Sequence, residues 1–110
     1  MHSRKFYVYI VTNLNNSVLY TGVTNKLKER IIEHYKGKET SKSFTSKYHC
    51  YNLLFYETFD YINNAIEREK EIKGWIRRRK LETIRAFNPE FKFLNKELYG
   101  EWPPKEITTR

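Results

Sequence analysis

Two tyrosine-bearing runs, "YVYIVT" and "VLYTGVT", precede a stretch carrying an arginine and a histidine four residues apart, Arg30 and His34. Phenols and an imidazole can move protons, a guanidinium presents a planar fork of donors to an anion, and a carboxylate, here Glu69, demands a cation. Periodicity puts these groups where apolar side chains would serve folding better. At about 100° per residue, Arg30 and His34 share the stripe of Leu27, Ile31 and Tyr35. On a later helix, Ile62, Ala65, Ile66, Ile72 and Ile76 define the apolar stripe; Glu69 falls at its centre, whereas Glu67 and Glu71 point away. A carboxylate there costs on the order of several kcal/mol unless a cationic side chain or a metal answers it. Each group also has a bland reading: Glu69 pairs with Arg30 as a structural bridge, His34 packs, and the strand tyrosines send their hydroxyls to water. Their convergence on two helices and one hairpin face favours a site.

The elements that must position them follow from alternation and punctuation. In "FYVYIVTN", Phe6, Val8 and Ile10 take one face and Tyr7, Tyr9 and Val11 the other; "NLNNS" turns the chain into "VLYTGVT", a β-hairpin. Thr24 or Asn25 caps a helix that Gly37 ends. A polar loop, "KGKETSKSFTSKYHC", leads to a third strand, "YNLLFYETF". Asp60 caps a second helix from about Tyr61 to Trp75, broken near Gly74, and a third runs from about Arg78 to Phe87 until Asn88-Pro89 stops it. The order ββαβαα predicts an α+β fold, a small, three-stranded, mainly antiparallel sheet flanked by helices.

With 110 residues, 39% of them apolar and 31% charged, the chain is expected to form one domain, its core about residues 5–95 and its C-terminal tail about 96–110. The ends, Met1–Lys5 and Pro103–Arg110, read as frayed. One cysteine, Cys50, excludes an internal disulfide and a cysteine-cluster metal site. No apolar run suits a membrane helix and "MHSRKF" lacks a signal-peptide core, so a reducing, cytoplasmic setting is expected. The net charge of +8 is concentrated between Arg68 and Arg85, with eight Lys or Arg against three Glu, which favours a polyanionic partner.

The ordered set resembles the GIY-YIG nucleases. "YVY" (Tyr7, Val8, Tyr9) stands at the first tripeptide of that family and "YTG" (Tyr20, Thr21, Gly22) at the second. Arg30 takes the family's arginine position, and His34 matches a histidine found in many members. Glu69 in "AIEREKEIKGW" fits the metal-binding glutamate, and Asn88 looks like the asparagine that closes the motif set. The likeness is greatest to a branch of small bacterial proteins that carry this module alone. Two departures stand out: Tyr7 replaces a glycine, and Val23 stands where many members, including the excision-repair nucleases, have a lysine. Nor does the length leave room for the separate DNA-recognition domain of larger members.

The resemblance implies a metal-dependent endonuclease acting on nucleic acid, DNA in the first place. Tyr9 would be the general base, which requires nearby positive charge to lower a phenol whose free pKa is near 10. Arg30 would hold phosphate oxygens, Tyr20 would orient the phosphate or the attacking water, and Glu69 would hold one weakly bound Mg²⁺ or Mn²⁺. Together with His34 and Asn88 these form the expected catalytic set. Lys73, Arg77, Arg78, Arg79 and Lys80 would meet backbone phosphates, and Trp75 would stack on a base. The alternative is a nucleic-acid-binding module of the same fold with weak or lost catalysis.

Overall fold

The computed structural model describes residues 5–39 and 42–105. Of the ends expected to fray, Met1–Lys5 and Pro103–Arg110, residues 1–4 and 106–110 lie outside the described residues. Strand β1 (Phe6–Thr12) is rich in β-branched and aromatic residues, which suit a pleated surface packed on both sides. It pairs antiparallel with β2 (Leu19–Thr24) and with β3 (Asn52–Phe59), giving the order β2-β1-β3. Its central place leaves Val8 through Thr12 fully buried.

Alternation sends neighbouring side chains to opposite faces. Val8 and Ile10 join Leu54, Ala65, Ile72 and Ile84 beneath α3 (Ile62–Lys73) and α4 (Arg77–Phe87). Tyr9 and Val11 join Leu53 and Cys50 against Leu27 and Ile31 of α1 (Leu27–Lys36). The three-stranded antiparallel α+β fold is thus the one read from the sequence, and the tyrosine-bearing face of the hairpin meets the Arg30 helix. Asn13 sets the hairpin turn by accepting from the backbone N–H of Ser17 at 2.9 Å and of Val18 at 3.1 Å. Asn16 supplies the left-handed residue at φ 60°.

Local punctuation differs in several places. Lys26 occupies the N-cap of α1, and the Thr24 hydroxyl instead accepts from the Lys26 N–H at 3.0 Å. Asp60 does not cap α3; it pairs with Lys5 at 2.7 Å, and Tyr61 holds the N-cap. The α3 stripe is also shorter than its periodicity: Ala65 and Ile72 are buried, but the helix ends at Lys73, and Ile76 beyond the Gly74 cap is 65% exposed. Where a polar loop was expected, a 3₁₀ turn (Gly37–Glu39) and a short helix α2 (Phe44–Lys47) form. Ser43 caps α2, its hydroxyl accepting from the Ser46 N–H.

The outer edge of β3 is covered rather than open. A register shift between Ile10 and Val11 leaves Leu54 without a partner on β1. Asn88 answers it by donating to the Leu54 carbonyl at 3.1 Å, and farther along Asn95 accepts from Leu53 N–H and donates to the Tyr51 carbonyl. Asn95 opens α5 (Asn95–Tyr99), whose Leu98 and Tyr99, with Trp102, pack on the Tyr9 side of the core. A bare edge of this kind invites pairing with other chains, so the segment protects the sheet.

Candidate active site

Register places Tyr9 on β1 directly opposite Gly22 on β2. The Tyr9 ring lies over that glycine so closely that a Cβ built there would sit 2.5 Å from the phenol oxygen and 2.6 Å from Cζ. Two residue pairs along, Tyr20 faces Val11, which puts Tyr9 and Tyr20 on the same side of the sheet with ring centroids 6.4 Å apart. α1 then brings His34 against both rings, at 5.8 Å from Tyr9 and 5.9 Å from Tyr20. The Tyr9 hydroxyl meets His34 Nε2 at 2.8 Å, and Thr45 Oγ1 from α2 meets Nδ1 at 3.0 Å. Phe44 stacks on the outer side of Tyr20.

These groups border a groove of about 330 Å³ lined by Tyr20, Arg30, Glu33, His34, Phe44 and Thr45. A larger hollow of about 680 Å³ lies at the other sheet edge, where Asn88 lines it together with Lys28, Tyr56 and Phe87; none of the Tyr9–His34 group reaches it.

Burial governs the electrostatics. Tyr9 is fully buried, and desolvation, reinforced by Tyr20, raises its pKa above the ordinary 10 despite the Arg30 charge beside it. The sequence-based expectation of a lowered phenol is therefore corrected: Arg30 pulls in the expected direction, but the loss of water outweighs it. His34 is pushed the other way, down to about 4, by burial first and by Arg30 second. At neutral pH the ring is uncharged. With Tyr9 protonated, its O–H can donate to Nε2 in the tautomer whose Nδ1–H donates to Thr45 Oγ1; the other neutral tautomer reverses both bonds.

A pH prediction follows from His34. The unfolded chain takes up the proton near pH 6.5 and the folded chain only near 4. Between those values the unfolded state holds more protons, so the His34 contribution is complete above pH 6.5 and is lost as pH falls through that window. Because the ring borders an open groove, solvent screening reduces the loss to on the order of 1–2 kcal/mol. Urea midpoints at pH 7 and pH 4.5 should draw the parent and His34→Gln together at the lower pH. A gap that stays constant would contradict a neutral His34.

Arg30 pairs with Glu33 at 3.2 Å on its own helix, so the bridge between Arg30 and Glu69 does not form. Glu69 instead accepts from Lys73, one turn along α3, at 2.8 Å, its side chain 15% exposed against 51% for Glu71. The same Lys73 ammonium lies 5.8 Å from the centre of the Tyr20 ring, which ties Glu69 to the β2 edge of the groove. Among the described residues no three His, Cys, Asp or Glu side chains gather as a metal cage. A divalent cation at Glu69 would therefore have one protein carboxylate and otherwise water, a donor set that fits Mg²⁺ or Mn²⁺.

Asn88 stands apart from this group. Besides Leu54 it donates to the Lys92 carbonyl at 2.8 Å and accepts from the Lys92 N–H, so its amide is spent on the turn after α4. Of the basic set, Arg77 donates to the hairpin carbonyls of Asn16 and Ser17 at 2.6 and 3.2 Å, while Arg78 is exposed and Lys80 is half-buried. Trp75 packs on the core, with Arg79 and Arg68 over its ring at 4.4 and 5.1 Å, a face already covered. Arg68 is further fixed by a two-pronged bond to Glu57. Sequence reasoning missed Thr45, Phe44 and Tyr48; the only signal for them was Ser43, an N-cap residue inside a stretch without periodicity.

The GIY-YIG catalytic domain model matches residues 5–82. A UPF0213 protein of Staphylococcus saprophyticus is 38% identical over 80 residues, covering 73% of this chain and 94% of the relative. One of Syntrophus aciditrophicus is 36% identical over 86 residues, covering 78% and 95%. The solution NMR structure of the UPF0213 protein BH0048 from Bacillus halodurans superposes with a TM-score of 0.52 at 26% identity, covering 84% of this chain and 95% of that one. With the matched domain spanning most of its length, the chain belongs to the GIY-YIG family, a family of the nuclease type.

Proposed function

We propose that this protein is a cytoplasmic endonuclease that hydrolyses phosphodiester bonds of nucleic acid, DNA in the first place, with one Mg²⁺ or Mn²⁺ held by Glu69. The observation that carries the reading is the 2.8 Å contact between Tyr9 and an uncharged His34 behind a groove that Arg30 and Tyr20 also line. A base for water needs a vacant acceptor for the proton it passes on; uncharged His34 offers one at the groove wall and, with its lowered pKa, hands the proton on to solvent rather than keeping it. Tyr9 serves as base only by taking the proton of water while passing its own to His34 Nε2, so no free tyrosinate is required. The relay uses the tautomer in which Nδ1–H donates to Thr45 Oγ1 and Nε2 accepts.

Arg30, nearly half exposed, leaves Glu33 for the phosphate oxygens, where its fork meets the negative charge that builds as water adds to phosphorus. Arg30 also interacts with the Tyr9 phenol, so its movement changes the hydroxyl's side of the groove. Tyr20, half-buried at the groove wall, orients the phosphate. When bound at Glu69, the divalent cation supplies Lewis acidity and neutralises the leaving 3′ oxygen. Phe44, exposed at the lip of the groove, and Tyr48, exposed and packed against it, add rings on which a base can stack.

The test is a nicking assay with Mg²⁺ or Mn²⁺ on linear and branched DNA and RNA. Cleavage is expected, abolished by chelation, and Arg30→Ala should slow it by about 10²–10³-fold while remaining folded. The closed Lys73–Glu69 pair favours a second reading, the catalytically silent binding module. Salt-dependent binding without cleavage of any substrate would establish that reading and overturn the first.

A further inference from the structure

Lys73 sets its ammonium 5.8 Å from the centre of the Tyr20 ring, and it occupies the carboxylate that the proposed chemistry needs. Three features make that arrangement informative. Val23, next to Gly22 on β2, is apolar and packs on the α3 side of the sheet, so the strand itself offers no positive charge beside the groove. Arg30, the other cation there, is engaged by Glu33. Lys73 is 48% exposed on a long stem, while its partner Glu69 is 15% exposed, so the ammonium can leave for solvent or substrate and the carboxylate cannot. A largely buried carboxylate needs a counter-charge at all times, and a divalent cation can take over that role from an ammonium.

We propose that Lys73 is a two-position cation: it neutralises Glu69 in the free protein and turns to a substrate phosphate oxygen when a divalent cation takes the carboxylate. The second position is within reach, because the ammonium already sits beside Tyr20, over which the phosphate is expected to lie. The inference rests on the reading of Glu69 as the metal-holding residue. A fixed helix-surface pair, the plain alternative for residues four apart, would not respond to metal or substrate.

The test reads binding rather than cleavage, so it stands or falls separately from the nuclease assay. Affinity for a short DNA duplex is measured against salt in EDTA and in Ca²⁺ for the full chain, for Lys73→Met and Lys73→Gln, and for Lys73→Arg. In EDTA, removing the lysine should leave the salt slope unchanged, because the ammonium is already spent on Glu69. In Ca²⁺ the same variants should lower the slope by about 0.9, one phosphate contact, and Lys73→Arg should restore it. Without nucleic acid, Lys73→Met should bind Mn²⁺ several-fold more tightly than the parent. Equal slope changes in both media would mean a permanent phosphate contact, and no change in either would mean a helix-surface pair. Both results overturn the exchange, as would an unaltered Mn²⁺ affinity or a parent that binds no duplex.

Discussion

Glu69→Gln is expected to lose metal-dependent cleavage by at least roughly 100-fold while its stability falls by no more than about 1 kcal/mol. The amide keeps the volume and most of the hydrogen bonding of the carboxylate but not the charge that holds a cation. The small stability cost comes from the partner. Had Glu69 bridged Arg30 in a buried pair, its loss would strand a charge and cost about 3–5 kcal/mol. The partner is instead Lys73, about half exposed, whose ammonium returns to water when the carboxylate goes. Glu67→Gln and Glu71→Gln serve as controls: Glu67 is exposed and Glu71 pairs with Arg68 at 2.9 Å, so both variants should cleave like the parent. Paired measurements of cleavage rate and urea midpoint decide the matter. A folded Glu69→Gln that cleaves at the parental rate would remove Glu69 from the metal site.

The distinction among the three glutamates was legible before any coordinates because α3 is regular over the stretch concerned, and angle along a regular helix converts directly into burial. The same rule failed four residues later. Gly74 ends the helix, so Trp75 and Ile76 no longer follow the stripe, and the ring read as a stacking platform is partly buried against the core with Arg79 and Arg68 over it. Strand alternation put Tyr9 on the face of α1, and the pairing of β1 with β2 made Gly22 its neighbour. The direction of the Tyr9 pKa was not legible, since residue types show that Arg30 is near but not that the phenol is sealed from water. Thr45 and Asn95 were invisible for a related reason. Their partners are a ring nitrogen and an edge of β3 far away in sequence, and neither contact leaves a periodic trace. Long-range polar contacts of this kind are satisfied by position, whereas pattern reading detects only repetition.

Gly22→Ala is expected to destabilise the protein by about 2–3 kcal/mol, roughly 10 °C or more in midpoint for a chain of this size, and to abolish whatever depends on the Tyr9–His34 bond. The cause is steric. The added methyl would approach the Tyr9 ring at 2.5 Å from the oxygen, 2.6 Å from Cζ and 2.9 Å from Cε2, all well inside contact distance. The ring has nowhere to go: its strand is central, the residue is fully buried, and Tyr20 and His34 flank it. Gly74→Ala is the control for the general effect of replacing glycine. There the nearest atom is a carbonyl oxygen at 3.5 Å and the backbone is helical, so the substitution should be neutral or stabilise by about 0.4–1 kcal/mol through the unfolded chain. A double-mutant cycle isolates the contact itself: in a Tyr9→Leu background, Gly22→Ala should cost far less, because a shorter side chain leaves the methyl room. Tyr9→Phe should recover little, since it removes the oxygen but not Cζ. Should Gly22→Ala unfold within about 0.5 kcal/mol of the parent, the ring would have freedom that a wall between β2 and His34 does not allow, and the glycine of the second tripeptide would need another explanation.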